Sequence, residues 1–169
     1  MNAISRRENI VKMLVKDRKP IKGIVFAEAF NVTRQIIVKD IAILRAKGNN
    51  IIATPDGYMI NIEANDKIRK IIAVNHDDKH IVDELEIVIK YGGIVEDVIV
   101  EHPLYGEIRA NLMIKNLNDL NNFKKSFLEN KAKPLSELTD GIHLHTILVD
   151  SQKELDLINK ELKENGFIL

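Results

Sequence analysis

Thr33-Arg-Gln-Ile-Ile-Val-Lys-Asp-Ile-Ala-Ile-Leu-Arg-Ala-Lys-Gly48, followed after two asparagines by Ile51-Ile-Ala-Thr-Pro-Asp-Gly-Tyr-Met-Ile60, decides the first half of the fold. Thr33 is a good N-cap, Ile37, Ile41 and Leu44 form one helical stripe, and Gly48 stops the helix after Lys47 in the C′ position. Two short strands, Ile51–Thr54 and Gly57–Ile60, flank a Pro55-Asp56 turn closed by Gly57. Upstream, Gly23 to Phe30 fits a second short helix, joined to the third through a tight turn at Asn31-Val32. Ser5-Arg-Arg-Glu8 reads as a capping box that opens a first helix with its apolar stripe at Ile10, Val11, Leu14 and Val15. That helix ends before the Lys19-Pro20 step.

Three helices followed by a β-hairpin predict a winged helix-turn-helix over residues 1–62. The N-terminal end of the third helix is the end that enters the major groove in such domains, and it carries Thr33, Arg34, Gln35 and Lys39. Arg and Gln can make bidentate contacts to guanine and adenine edges, whereas Lys39, Arg45 and Lys47 suit phosphates. Charge agrees with this reading. Residues 1–60 hold eleven Lys and Arg against five Asp and Glu, and residues 61–169 hold fourteen against twenty. A basic head on an acidic body is expected when only the head meets a polyanion, here double-stranded operator DNA.

Residues 66–169 read as a second domain. Ile68–Val74 is a predicted strand, and Ile81, Val82, Leu85, Val88 and Ile89 are a helical stripe ended by Gly92-Gly93. Ile94–Val100 and Glu107–Ile114 are strands joined through His102-Pro103-Leu104-Tyr105-Gly106. A helix around Leu120, Phe123, Phe127 and Leu128, capped by Asn118, precedes the strand Ile142–Val149. That strand is apolar on both faces and therefore central. A last helix around Leu155, Ile158 and Leu162 leads to a closing edge strand at Phe167-Ile168-Leu169. The fold class is α/β in the broad sense (α+β): a ferredoxin-like βαββαβ open sheet with an extra αβ unit.

Composition narrows the chemistry. The chain has no Cys, which excludes disulfides, Fe–S clusters and thiolate metal sites, so any transition metal must sit on His and carboxylates. Charged residues interrupt the N-terminal apolar stretch, so no signal peptide is expected, and no apolar run approaches the roughly 20 residues that span a bilayer. A cytoplasmic protein with no membrane partner is expected.

All five histidines fall in the second domain. His143 and His145 are two apart on a strand and project from one face, together with Ile147 and Val149. Such a pair is either a set of satisfied core histidines or a pair of neutral metal ligands. His76 at the end of the first strand and Glu84 on the next helix can join them. Three imidazoles and a carboxylate suit a divalent transition metal: Zn²⁺, Ni²⁺, Fe²⁺ or Mn²⁺. His80, one helical turn before Glu84, is the rival ligand, with a solvated surface position as its alternative. His102 either lines a pocket or is a turn histidine held by backbone hydrogen bonds.

The segments Asn31 to Gly48 and Ile51 to Tyr58 resemble the winged helix of the niacin-responsive transcriptional repressors of bacteria. Val100-Glu-His-Pro-Leu-Tyr-Gly-Glu-Ile-Arg109 and Lys133-Pro-Leu-Ser-Glu-Leu-Thr-Asp-Gly-Ile-His-Leu-His145 look like their three-histidine (3H) domain. The resemblance covers essentially the whole chain. It implies a homodimeric repressor of genes for NAD biosynthesis or niacin uptake, with nicotinic acid as co-repressor. The family's metal site matches His76, Glu84, His143 and His145. For the effector, His102 and Arg109 are the candidate contacts on neighbouring strands. Rival readings are a regulator that answers to metal alone, a protein with a purely structural metal, and an enzyme. The last lacks a placed general base, a nucleophile or a phosphate loop, so no catalytic residue is assigned.

Overall fold

Ile10, Leu14, Phe26, Ile37, Ile41, Leu44 and Ile51 close on one another as the core of the first unit. The computed structural model describes residues 2–60 and 66–169; the stretch 61–65, where the expected domain boundary falls, lies outside the described residues. The chain divides into two units, Met1–Glu63 and Ala64–Leu169.

The first unit has α1 (Ala3–Asp17), α2 (Gly23–Phe30), α3 (Arg34–Ala46) and an antiparallel hairpin of β1 (Ile51–Thr54) and β2 (Gly57–Ile60). Ile21 bridges to Tyr58, so the segment before α2 adds to the hairpin. Gly57 sits where that bridge closes, at φ 132, and a Cβ there would lie 2.4 Å from the Ile21 carbonyl oxygen. Only glycine fits both conditions. Thr33 caps α3 by accepting the Ile36 amide, as the sequence predicts. The capping box expected at Ser5–Glu8 does not form, because Asn2 takes the Ser5 amide and starts α1 earlier. Asn is as strong an N-cap as Ser, so the upstream residue wins.

The second unit runs β3 (Ile68–Asn75), α4 (Ile81–Lys90), β4 (Ile94–His102), β5 (Gly106–Ile114), α5 (Leu117–Asn130), β6 (Ile142–Val149) and α6 (Gln152–Glu164). Strand order is β3-β6-β4-β5 and every pairing is antiparallel. Each βαβ unit is thus split by one strand: β6 lies between β3 and β4, and β4 lies between β5 and β6. The apolar strand β6 is central, as its two-faced sequence predicts. α5 is capped by Asn116, two residues before the expected Asn118, because Asn116 Oδ1 receives the Asp119 amide. A capping box does form at Ser151–Glu154, at the start of α6.

Leu85 and Val88 of α4, Leu120 of α5, and Leu155, Ile158 and Leu162 of α6 pack with Ile72, Val74, Val95, Ile147 and Val149 of the sheet. Each such side chain contributes about 1.5–3 kcal/mol on leaving water. After α6 the chain turns back along β3: the Asn75 amide donates to the Phe167 carbonyl, and Ile168 bridges to Val74. Among the described residues, no helix is long and apolar enough to cross a membrane.

Candidate metal centre and DNA-facing helix

Strand alternation places three histidines at one spot. In β6, His143 and His145 share the face of Ile147 and Val149, which carries the core. The register sets His145 opposite Ile72 and His143 opposite Val74 on β3. His76 is two residues beyond Val74 and continues that face past the strand end. From α4, whose other buried side chains are apolar, Glu84 is 1% exposed and reaches the same point. His143 and His145 are each 4% exposed. Neighbouring rings stand nearly perpendicular, with centroids 4.9 Å apart for His76–His143 and for His143–His145.

Each ring has its Nδ1 on a main-chain carbonyl: His76 on Asp77 at 2.8 Å, His143 on Gly141 at 2.8 Å, and His145 on Asp97 at 2.6 Å. A carbonyl can only accept, so all three Nδ1 atoms carry the proton and donate. All three Nε2 atoms then turn to one carboxylate. His76 and His143 approach Glu84 Oε2 at 2.6 and 3.2 Å, and His145 lies 3.3 Å from Oε1. That last contact lacks hydrogen-bond geometry, and the buried Oε1 has no hydrogen-bond partner among the described residues. Ligand atoms of His76, Glu84 and His143 lie within 4.8 Å of one another. Three Nε2 atoms that can give up their protons, around a buried carboxylate with an orphaned oxygen, are the donor set that a divalent cation satisfies, and ring N–H groups on carbonyls are its usual support.

The electrostatics of the four groups follow from their closeness. Burial opposes the charge on His76, but its hydrogen bond to Glu84 prevails and holds it above the ordinary 6.5. His145 is likewise raised, against burial, chiefly by the Glu84 charge. Burial pushes the Glu84 carboxyl up, yet the charge of His145 and the contacts of the three rings hold it well below the ordinary 4.5.

A raised imidazole contributes stability fully below 6.5 and loses it as pH rises through its folded-state value. A lowered carboxyl contributes above 4.5 and loses it as pH falls. The metal-free second unit should therefore draw most stability from this cluster between those two values. Urea unfolding in chelator across a pH series checks this. A midpoint that climbs steadily above 6.5 would contradict it.

Backbone positions complete the centre. Gly141 takes φ 94, and a Cβ there would lie 2.5 Å from the His76 carbonyl oxygen, so the residue that holds His143 also packs on His76. Phe167 sets its ring 5.3 Å from that of His76. Beside His76 a cleft of about 660 Å³ opens, lined by Asp77, Asp78, Glu137 and Asp140 against the single cation Lys79. Sequence reasoning missed Gly141, Asp77 and Asp97 as supports, because a carbonyl acceptor leaves no side-chain signature. The one available sign was Glu96-Asp97 interrupting an otherwise apolar strand.

The remaining candidates lie elsewhere. His80 is exposed, with Nδ1 2.6 Å from Asp77 Oδ1. His102 accepts the amides of Leu104 and Tyr105 at 3.1 and 3.3 Å and shapes the β4–β5 turn. Arg109 has its guanidinium divided between Asp97 and Glu107.

In the first unit Thr33, Arg34, Gln35 and Lys39 are all exposed on α3, while Ile37, Ile41 and Leu44 are buried. Asp40 is buried too, where Arg6 and Arg7 of α1 meet it. One face of α3 therefore holds the unit together and leaves the other exposed.

Residues 6–59 match an HTH domain and residues 69–169 match the 3H domain. Over 164 residues the chain is 39% identical to the probable transcription repressor NiaR of Thermotoga maritima, which covers 97% of this chain and 93% of that protein. Over 168 residues it is 34% identical to the transcription repressor NadR of Bacillus subtilis, covering 98% and 93%.

Proposed function

The chain belongs to the family of transcription repressors that join an HTH domain to a 3H domain, and from that premise we propose a repressor in which a metal-assisted small acid controls DNA binding. It is a DNA-binding regulator and not an enzyme. Operator contact falls to Thr33, Arg34, Gln35 and Lys39, with the β1–β2 hairpin as wing. His76, Glu84, His143 and His145 hold a divalent transition metal. The observation that carries this reading is the convergence of three imidazole Nε2 atoms on one buried carboxylate with an unmet oxygen.

The effector in this reading is nicotinic acid, as the sequence resemblance implies. Four carboxylates against one lysine make the cleft beside His76 repel a free anion. A divalent ion, when bound, supplies the positive centre that such a carboxylate or a ring nitrogen needs. His102 ends β4 with Nδ1 taken by the amides of Leu104 and Tyr105, which leaves Nε2 as the ring nitrogen to meet an effector. Arg109 is already shared by two carboxylates, which favours a part in holding the sheet over one in holding an anion. Reading two half-sites on successive major grooves asks for a homodimer, and the effector acts by favouring the geometry that fits them.

The experiment begins by selecting the operator from a random duplex library, then measures binding by fluorescence anisotropy with nicotinic acid, nicotinamide and chelator. Tightening by nicotinic acid that chelation abolishes is expected. Binding that tracks metal alone would replace this reading with a metal-responsive regulator, and indifference to both would overturn it. Arg34→Ala should weaken binding by about 1–3 kcal/mol and relax specificity at one base pair. Lys39→Ala should weaken it evenly across sequences and reduce the salt slope by about 1. Unchanged slope and specificity in both variants would remove α3 from the groove.

A further inference from the structure

The pairing of β4 slips at Val95/Asp97. Those two steps along β4 face a single step on β6, Ile147 to Thr146, and three steps on β5, Ile114 to Asn111. Irregularities thus flank the same point of β4 on both sides, and Met113 on β5 takes φ 53 there. In a regular ladder the β4 carbonyl would meet a neighbouring strand's amide. Here the Asp97 carbonyl accepts from His145 Nδ1 at 2.6 Å, while the Thr146 amide is met by Asp97 Oδ1 at 2.9 Å. The side chain meets the β6 amide, and the main-chain carbonyl of the same residue orients the ring. Bulges beside functional sites commonly re-aim a group in this way.

The arrangement has a keeper. Asp97 is 1% exposed, so its carboxylate must find a partner. Oδ2 receives Arg109 Nη1 at 2.5 Å, and Arg109 Nη2 is in turn held by Glu107 at 3.2 Å. The adjacent pair Arg69–Glu96, 3.1 Å apart, spans the same sheet without reaching a histidine.

We propose that Asp97 and Arg109 are positioning residues for the metal centre: Arg109 anchors the Asp97 carboxylate, which holds the bulge whose carbonyl fixes the tautomer and orientation of His145. This rests on the metal-centre reading. Partners that orient a metal ligand from behind typically account for roughly 10–100-fold in affinity. The expectation that Arg109 holds the effector gives way to this role.

The test uses the full chain and Zn²⁺ as probe, in competition with a chromophoric chelator. Arg109→Gln and Asp97→Asn should each weaken Zn²⁺ binding by roughly 10–100-fold. Arg109→Lys should recover part of the loss, and Arg69→Gln should match the wild type. In chelator, at a pH where the rings are neutral, long-range ¹H–¹⁵N spectra should show His145 protonated at Nδ1 in the wild type and mixed between tautomers in the two variants. Assignment comes from the signals missing in His145→Gln.

Wild-type affinity together with an unchanged His145 tautomer in both variants would overturn the proposal. So would an equal loss in Arg69→Gln, which would mean general damage to the sheet. If the wild type takes up no Zn²⁺, the metal reading fails, and the tautomer comparison still decides whether Asp97 and Arg109 position the ring. Should Asp97→Asn fail to fold, Arg109→Gln carries the test, since that side chain is 38% exposed.

Discussion

Glu84→Gln is expected to weaken divalent-metal binding by about two to three orders of magnitude. The side chain is 1% exposed, and all three ligand imidazoles face its two oxygens. Glutamine keeps the volume and so the packing of α4, but it removes the only negative charge in the cluster. Loss of one member of a buried charge pair typically destabilises by about 3–5 kcal/mol. At about 1.4 kcal/mol per decade, that range corresponds to a factor of roughly 10² to 10³ or slightly more. Chelator competition with Zn²⁺ or Ni²⁺ gives the affinity, and the shift of the unfolding midpoint on adding metal gives an independent value. Operator affinity in the presence of nicotinic acid should fall to its chelated level. Metal binding within about threefold of wild type, against a span of decades in the expectation, would remove Glu84 from the ligand set. Lost metal binding with an intact effector response would make the metal structural and place the sensor elsewhere.

The second large effect concerns the first unit. Asp40→Ala should destabilise it by about 3 kcal/mol, since Asp40 is 2% exposed and carries two partly buried arginines, Arg6 at 2.5 Å and Arg7 at 3.2 Å. A unit of this size has little stability to lose, so the change should lower its unfolding temperature by more than about 10 °C and abolish operator binding at the warmer end of the range. Metal binding by the second unit should be untouched. That split separates damage to the head from damage to the sensor. Asp40→Asn keeps one acceptor oxygen, enough for one of the two arginine contacts, and should lose less. A thermal midpoint for Asp40→Ala within about 2 °C of wild type would show that the arginines pair equally well with water.

Much of this was legible in the chain itself. The helical stripe Ile37, Ile41 and Leu44 bounded by Thr33 and Gly48, and the hairpin turn at Pro55-Asp56-Gly57, depend on period and local turn chemistry, which act over a few residues. The His143–His145 pair was legible for the same reason: a strand has period two whatever sheet it joins. Helix starts were less legible. Asn2 and Ser5, or Asn116 and Asn118, are nearly equal as caps, and small differences in local hydrogen bonding choose between them. The depth of Glu84 was not legible: it is buried among the apolar residues of α4, because three imidazoles compensate a charge that helical periodicity alone would send to solvent.

The sequence by itself determined which residues could serve: a basic three-helix head, a central apolar strand with two histidines on one face, and no cysteine thiolate to compete with them. Those properties are local or compositional, and they need no knowledge of what lies across the sheet. Only the tertiary structure decided that Nδ1 of each ring would donate to a carbonyl of Asp77, Gly141 or Asp97, that every Nε2 would turn to Glu84, and that Arg109 would hold Asp97. The physical reason is that main-chain carbonyls are alike in every residue. What distinguishes these three is where antiparallel register, a bulge in β4 and a left-handed glycine place them.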